Sequence, residues 1–348
     1  MRNDIGGRPA AELLTTLQAG RALAAIAVVI HHTEIGTDAF VARMPQAMEH
    51  LFKFGYLGVD FFFVLSGFII YFSCAQQEKS KSAALSFLRK RPTRIFVPYW
   101  PIMAALVCAY AAMPSLSATD RAWSWPATLL LFPVAKPPAL SVAWTLQHEL
   151  VFYLLFAATF FSGTLVHAAF LWCAAIAVAA ITGVGATQPA SFFVGVIDLE
   201  FLFGIVCAIV TTQKTQAPDW IYYIGAVTSF AAFLWTGADL DHRVLFGLTI
   251  ALVIIPIVRL EMTGRLSAPG WLLFLGNASY AIYLIHIPLL SVTSRVAARV
   301  PLLNTWQGAM LFGLLTSVLM GCIYHVLIER PALRMVRQLM LRREVLEH

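Results

Sequence analysis

Long apolar runs alternate with short polar stretches from one end of this chain to the other. A helix that crosses a bilayer needs about 20 mostly apolar residues, within a range of roughly 17–25. Ten runs meet or approach that length: Leu13–His32, Gly55–Phe72, Ile95–Met113, Val142–Phe161, Leu165–Thr182, Phe192–Val210, Trp220–Trp235, Val244–Val258, Trp271–Leu290 and Trp306–Ile328. The seventh and eighth are short, and Trp125–Pro133 reads as a re-entrant or interfacial piece. The pattern predicts an all-α, polytopic integral-membrane bundle of about ten transmembrane helices.

Composition agrees. Of the 348 residues, 59% are hydrophobic and only 12% are charged, and the mean hydropathy is +0.77. A water-soluble domain carries roughly 25% charged residues, so the apolar surplus faces lipid. That excludes a cytosolic enzyme, a secreted disulfide scaffold and a disordered tail. Cys74, Cys108, Cys173, Cys207 and Cys322 stand apart in apolar surroundings without ligand spacing, so neither disulfides nor a metal site is expected. A net charge of +6 raises the question of nucleic acid, but no basic stripe is interleaved with aromatics, and the partner it implies is the lipid bilayer. With both termini cytoplasmic, sixteen of the 24 Lys and Arg fall inside, among them Arg2, Arg8, Lys79, Lys81, Arg89, Lys90, Arg91, Arg94, Lys214 and Arg343. Seven fall outside, including Arg121 and Arg243, and Arg21 lies within the first run. The excess supports an even number of spans with both termini in the cytoplasm. Arg21 interrupts the first run and no small-residue cleavage site follows it, so that run is expected to be retained. Without internal repeats, and with loops too short for a separate domain, residues 1–348 are expected to form one membrane unit.

Ionisable residues inside spans cost at least ~2.5–3.5 kcal/mol each on insertion scales and normally face a bundle interior or a wet cavity. Here Arg21, His31, His32, Asp60, His148, Glu149, Asp198, Glu200, His286 and His325 lie in or at the ends of the predicted spans. At about 100° per residue, Arg21 and His32 share a helix face with about 20° of drift and a separation of ~16 Å, while His31 turns roughly 80° away from Arg21 towards a rim. By the same rule, Ser279 and His286 share a face in the ninth span. Span direction puts His32, Asp60, Glu149 and His286 at similar depth in the outer half, with Glu149 one turn from Tyr153. Arg89, Arg91 and Arg94 lie at the cytoplasmic face. A group of titratable side chains, including a potential general base, opposite a cluster of guanidiniums suited to phosphates fits a reaction with one anionic reactant from each side. The Lys79–Arg94 charge run also has a plain reading as positive-inside topology.

Five ordered segments carry a resemblance. They are Arg21 and His32 separated by ten residues; GVDFFFVLSGFII from Gly58 to Ile70; Arg89, Lys90 and Arg91 followed by Arg94 and Pro98-Tyr99; Trp144 to Glu149 with Phe152-Tyr153; and Ser279 to Pro288, with Glu329-Arg330-Pro331 closing the last span. Together, over residues 14–335, they make the sequence similar to the acyltransferase-3 family of integral-membrane O-acyltransferases, whose members include acetylases of bacterial exopolysaccharide, lipopolysaccharide and Nod-factor sugars. The resemblance implies acyl-CoA, usually acetyl-CoA, as a cytoplasmic donor, and a hydroxyl of a cell-surface or exported carbohydrate or glycolipid as acceptor. It also implies a bacterial inner-membrane location.

The family's essential pair then falls on Arg21 and His32, and its CoA-phosphate element on Arg89 and Arg91, with Arg94 close by. His32 is the implied general base, since a neutral imidazole of ordinary pKa near 6.5 can take a proton from the attacking hydroxyl. Either Glu149 or Asp60 is expected to orient its ring, as a buried carboxylate does in a triad. Tyr153, Ser279, Tyr283 and His286 are the candidate acceptor-binding residues. Gly20 and His31 stand where members often have Leu and an aromatic, which leaves two adjacent imidazoles as candidates for the base. No SGNH-type domain is expected after the last span. The alternative reading is a transporter or flippase of a glycolipid or acylated saccharide, since intramembrane charges also mark transport pathways; it lacks support from duplicated halves.

Overall fold

A computed structural model of the chain describes residues 14–113, 123–213, 217–237 and 242–346, the last four as backbone only. Arg2, Arg8, Leu13, Arg121 and Lys214 lie outside the described residues, as does the side chain of Arg343. All regular structure among the described residues is helical. In chain order the helices are α1 (Thr15–Phe40), α2 (Gln46–Lys53), α3 (Gly58–Cys74), α4 (Lys81–Ala112), α5 (Trp125–Leu130), α6 (Trp144–Phe160), α7 (Leu165–Thr182), α8 (Ser191–Val194), α9 (Leu199–Thr212), α10 (Asp219–Thr236), α11 (Arg243–Met262), α12 (Gly270–Ala297), α13 (Trp306–Tyr324) and α14 (Arg330–Leu346).

Among the described residues, each of the ten apolar runs lies mainly on helix. Seven stretches among the described residues are long and apolar enough to cross a bilayer: Gln46–Cys74, Lys81–Ala112, Leu165–Thr182, Ser191–Thr212, Arg243–Met262, Gly270–Ala297 and Trp306–Arg342. The expectation of about ten crossings is met by this measure for seven. α1, α6 and α10 are the exceptions, and their composition explains why. α1 carries Arg21, two histidines and Glu34, α6 carries Gln147, His148 and Glu149 within 17 residues, and α10 mixes Asp219 with tyrosines and hydroxyls.

The chain divides into two compact units, each assembled from separate segments. The first comprises Met1–Ala24, Leu57–Ala84 and Val151–Asn277. Its core brings Leu14, just before α1, and Leu17 of α1 against Val64, Leu65 and Phe68 of α3, Cys207 and Ala208 of α9, and Ala251, Ile254, Ile255 and Val258 of α11. α3 and α9 touch backbone to backbone. A Cβ added at Gly67 would lie 2.0 Å from the Phe201 carbonyl oxygen, and one at Gly204 would lie 2.0 Å from that of Val64. Reciprocal glycines of this kind let apolar helices approach where lipid supplies no hydrophobic drive. Phe201 then stacks between Phe63 and Phe152, with ring centroids 4.7 and 4.4 Å away.

The N-terminus of α1 leaves backbone N–H groups without intrahelical acceptors. Glu261, at the end of α11, takes them up: its carboxylate accepts from the backbone N–H and hydroxyl of both Thr15 and Thr16. Glu261→Ala strands these donors and is expected to lower stability by about 1–3 kcal/mol, with Glu261→Gln losing less, as read by thermal unfolding in detergent.

The second unit comprises Ala25–Tyr56, Leu85–Leu150 and Ala278–His348. Pro92, Pro98 and Pro101 each remove a backbone donor from α4. Two other carbonyls of that helix accept tyrosine hydroxyls, Ile95 from Tyr280 at 3.0 Å and Pro98 from Tyr324 at 2.6 Å. Trp125–Pro133, read as re-entrant or interfacial, contains the six-residue α5, capped by the Ser124 hydroxyl and ended by Leu131 in a left-handed conformation at φ 54°. Its carbonyls at Thr128 and Leu129 accept from Tyr99 and Trp100 of α4, at 2.7 and 3.0 Å. Irregular backbone is tolerated among apolar helices only when its polar groups are bound in this way. Between α13 and α14, residues His325–Glu329 form a single π turn, placed where Pro331 has no N–H to offer Leu327.

Candidate active site

The second unit holds the histidines. α1 continues through His32 to Phe40, so Glu34, which the sequence reading did not single out, lies buried in the turn after the histidines. The His32 Nδ1 sits 3.0 Å from the carbonyl oxygen of Val28, one turn earlier. A carbonyl only accepts, so Nδ1 carries the ring proton and Nε2 keeps the lone pair. The sequence reading left two imidazoles open as base; this contact gives His32 a fixed tautomer with its basic nitrogen directed away from its own backbone. His31 packs edge-on to His32 at 5.0 Å and to Tyr56 at 5.7 Å. Gly55 permits that packing, because a Cβ there would lie 2.1 Å from the Ala27 carbonyl oxygen.

Behind His32 stands His286 of α12, fully buried, with its Nε2 3.4 Å from the His32 Nδ1 and the ring centroids 5.0 Å apart. Tyr283, one turn earlier on α12, sits 5.7 Å from His286 ring to ring. Its hydroxyl meets the Thr145 hydroxyl at 2.9 Å and donates to the Val142 carbonyl at 3.1 Å. The Trp144–Glu149 motif is thereby tied to the Ser279–Pro288 motif inside one unit. Within it, Gln147 donates to the Phe132 carbonyl at 2.8 Å, His148 packs edge-on to Trp144 at 5.6 Å, and Glu149 is half-buried.

Of the four candidate acceptor-binding residues, Ser279 and His286 have no exposed surface, and Tyr153 and Tyr283 are 6% exposed. Tyr283 commits its hydroxyl to protein partners, so its visible work is to hold α12 against the start of α6.

Asp60 belongs to the first unit, where it has a partner that the sequence does not reveal. The sequence reading offered its carboxylate as a ring-orienting partner for His32 and counted Arg243 as an exterior loop charge. In the structure, Arg243 opens α11, is 5% exposed, and donates through Nε at 3.2 Å and Nη2 at 2.7 Å to the two oxygens of Asp60, itself fully buried. Both carboxylate oxygens are therefore engaged by a guanidinium. Arg21, the other member of the first motif, also stands in the first unit, on the opening turns of α1.

The arginine run folds as helix rather than loop, since α4 begins at Lys81. Helical spacing then separates its members. With about 100° per residue, Arg89 and Arg91 point some 160° apart, whereas Lys90, Arg91 and Arg94 fall within a wedge of about 100°. The Arg91 guanidinium lies over the Phe87 ring at 5.8 Å. Lys90, Arg91 and Arg94 thus share one side of the helix, and Arg89 stands apart.

These features coincide with a family match. The family described as "Acyltransferase domain" covers residues 14–326. The chain belongs to this acyltransferase-3 family. It is accordingly an acyltransferase, and its multiple apolar helices make it a multi-pass membrane protein. The chain is also 28% identical over 302 residues to "Exopolysaccharide production protein ExoZ" of Rhizobium meliloti (strain 1021), covering 82% of this chain and 92% of that protein. It is 25% identical over 371 residues to "Acyltransferase MdmB" of Streptomyces mycarofaciens, covering 93% and 92%. No solved structure matches the chain.

Proposed function

We propose that this acyltransferase moves an acetyl group from cytoplasmic acetyl-CoA to a hydroxyl of a cell-surface or exported carbohydrate, with His32 as general base. The observation that carries the reading is the His32 ring, held with Nδ1 on the Val28 carbonyl so that Nε2 is the basic atom. In the proposed step, Nε2 takes the proton of the acceptor hydroxyl as its oxygen attacks the thioester carbonyl carbon. The C–S bond then breaks, the ester forms, and the CoA thiolate recovers the proton from Nε2 to leave as the thiol. Arg21 completes the motif on the same helix. A carbohydrate acceptor is supported by the exopolysaccharide named for one relative, and a bacterial inner-membrane location by the multi-pass helices.

The test uses the purified chain in nanodiscs with acetyl-CoA labelled in the acetyl group and surface polysaccharide as acceptor. Label should move to the polysaccharide with release of free CoA thiol. Hydrolysis of the thioester with no labelled saccharide, or no turnover with any saccharide offered, defeats the reading.

The α4 wedge makes a separate prediction for the donor. Arg91→Ala and Arg94→Ala should each raise KM for acetyl-CoA about tenfold, in line with the loss of a charge-assisted hydrogen bond of roughly 1.5 kcal/mol or more, while Arg89→Ala changes it by less than about threefold. Initial rates against acetyl-CoA concentration measure this.

A further inference from the structure

Resting on the reading of His32 as base, we infer that His286 is its positioning partner, the imidazole that holds the catalytic ring and shares the charge it acquires. The His32 Nδ1–H faces two atoms, the Val28 carbonyl oxygen at 3.0 Å and the His286 Nε2 at 3.4 Å. The carbonyl fixes the proton on the His32 side, so the His286 Nε2 opposite it must present a lone pair; two N–H groups aimed at each other at that distance repel. A neutral His286 with its proton on Nδ1 presents that lone pair, and His32 is then held by a three-centre hydrogen bond.

Burial fits that assignment. His286 has no exposed surface, and an imidazole that works as an acceptor and orienter can stay uncharged there at far less desolvation cost than an ion. It acts as an acceptor and orienter, a role a carboxylate fills in a serine-protease triad. When the His32 Nε2 takes a proton, the resulting imidazolium donates more strongly through Nδ1, and the His286 lone pair is there to receive it. The candidate carboxylate in the first unit is occupied, since Arg243 binds both oxygens of Asp60.

The ring is itself braced. Tyr283 packs against it, and the Tyr283 hydroxyl is anchored to Thr145 and to the Val142 carbonyl. His286 thus carries the placement of α12 to the basic ring on α1. It acts through His32 and is not expected to touch either substrate.

Steady-state kinetics of His286→Ala, His286→Gln and His32→Ala, in nanodiscs with acetyl-CoA and the same polysaccharide acceptor, test the assignment. His286→Ala should lower kcat roughly 10–100-fold while both KM values stay within about twofold. His286→Gln, whose amide oxygen can accept from the His32 Nδ1–H, should recover at least a third of the lost logarithmic rate. It also decides the matter if the alanine variant does not fold. The assignment is overturned if kcat is unchanged, if the acceptor KM rises at constant kcat as for a saccharide-binding residue, or if glutamine is no better than alanine. His32→Ala separates the two claims: full activity there defeats the base reading itself, whereas its loss alongside a normal His286→Gln and His286→Ala defeats only the partnership.

Discussion

His32→Ala is expected to lower acyl transfer by about 10²–10⁴-fold, the usual contribution of a positioned general base, while His31→Ala costs less than about tenfold. The two rings are chain neighbours and in contact, so proximity alone does not rank them. The ranking comes from the Val28 carbonyl, which fixes the tautomer of His32 and leaves Nε2 basic, whereas His31 is packed edge-on between His32 and Tyr56. Label transfer from acetyl-CoA measures both variants, with thermal unfolding in detergent showing that each is folded. Greater loss in His31→Ala than in His32→Ala would falsify the assignment of the base.

Asp60→Ala is expected to destabilise the protein by about 3–5 kcal/mol, because it leaves the buried Arg243 guanidinium without its carboxylate. The pair is 2.7 Å apart at its shortest, with side chains 6% and 0% exposed. Glu200 is fully buried as well, and it depends on Gly247, where a Cβ would meet its Cγ at 2.7 Å. Removing Arg243 in turn leaves the Asp60 carboxylate buried without its direct partner, so Arg243→Met should be at least as damaging. Asp60→Leu with Arg243→Met removes both charges and should be more stable than either single change, since a pair replaced by apolar groups escapes the penalty that one orphan imposes. Unfolding of the four proteins in one detergent gives the comparison. A double variant no better than the worse single one counts against the pair as the source of the effect.

The helical architecture was legible because lipid makes a crude demand. A run such as Leu165–Thr182 has nothing to do but be helical and apolar, and its predicted bounds are those observed. Legibility failed where the chain meets itself. Asp60 and Arg243 are 183 residues apart, and no local pattern marks Arg243 as the first residue of a buried helix end rather than a loop charge. The lysine and arginine run was read from its charge, which hid its continuation into α4 and the divergence of Arg89 from Arg91. For the histidines, helical spacing favoured His32, but neither the Val28 carbonyl nor His286 as its neighbour follows from a face calculation, and the orienting role was looked for among carboxylates. The link from Thr145 to Tyr283 shows the same limit. Two motifs were visible separately, and only packing reveals that one props the other.

The π turn at His325–Glu329 carries a consequence for the chain beyond it. An i→i+5 turn accommodates about one residue more than an α turn, so everything from Arg330 onward is rotated by some 100° from the direction that the count along α13 would give it. The azimuth of Arg334 and Arg337 is therefore set by a bulge rather than by the heptad arithmetic of their own helix. Excising one residue from that bulge would swing the whole basic tail to another compass bearing while leaving its sequence intact.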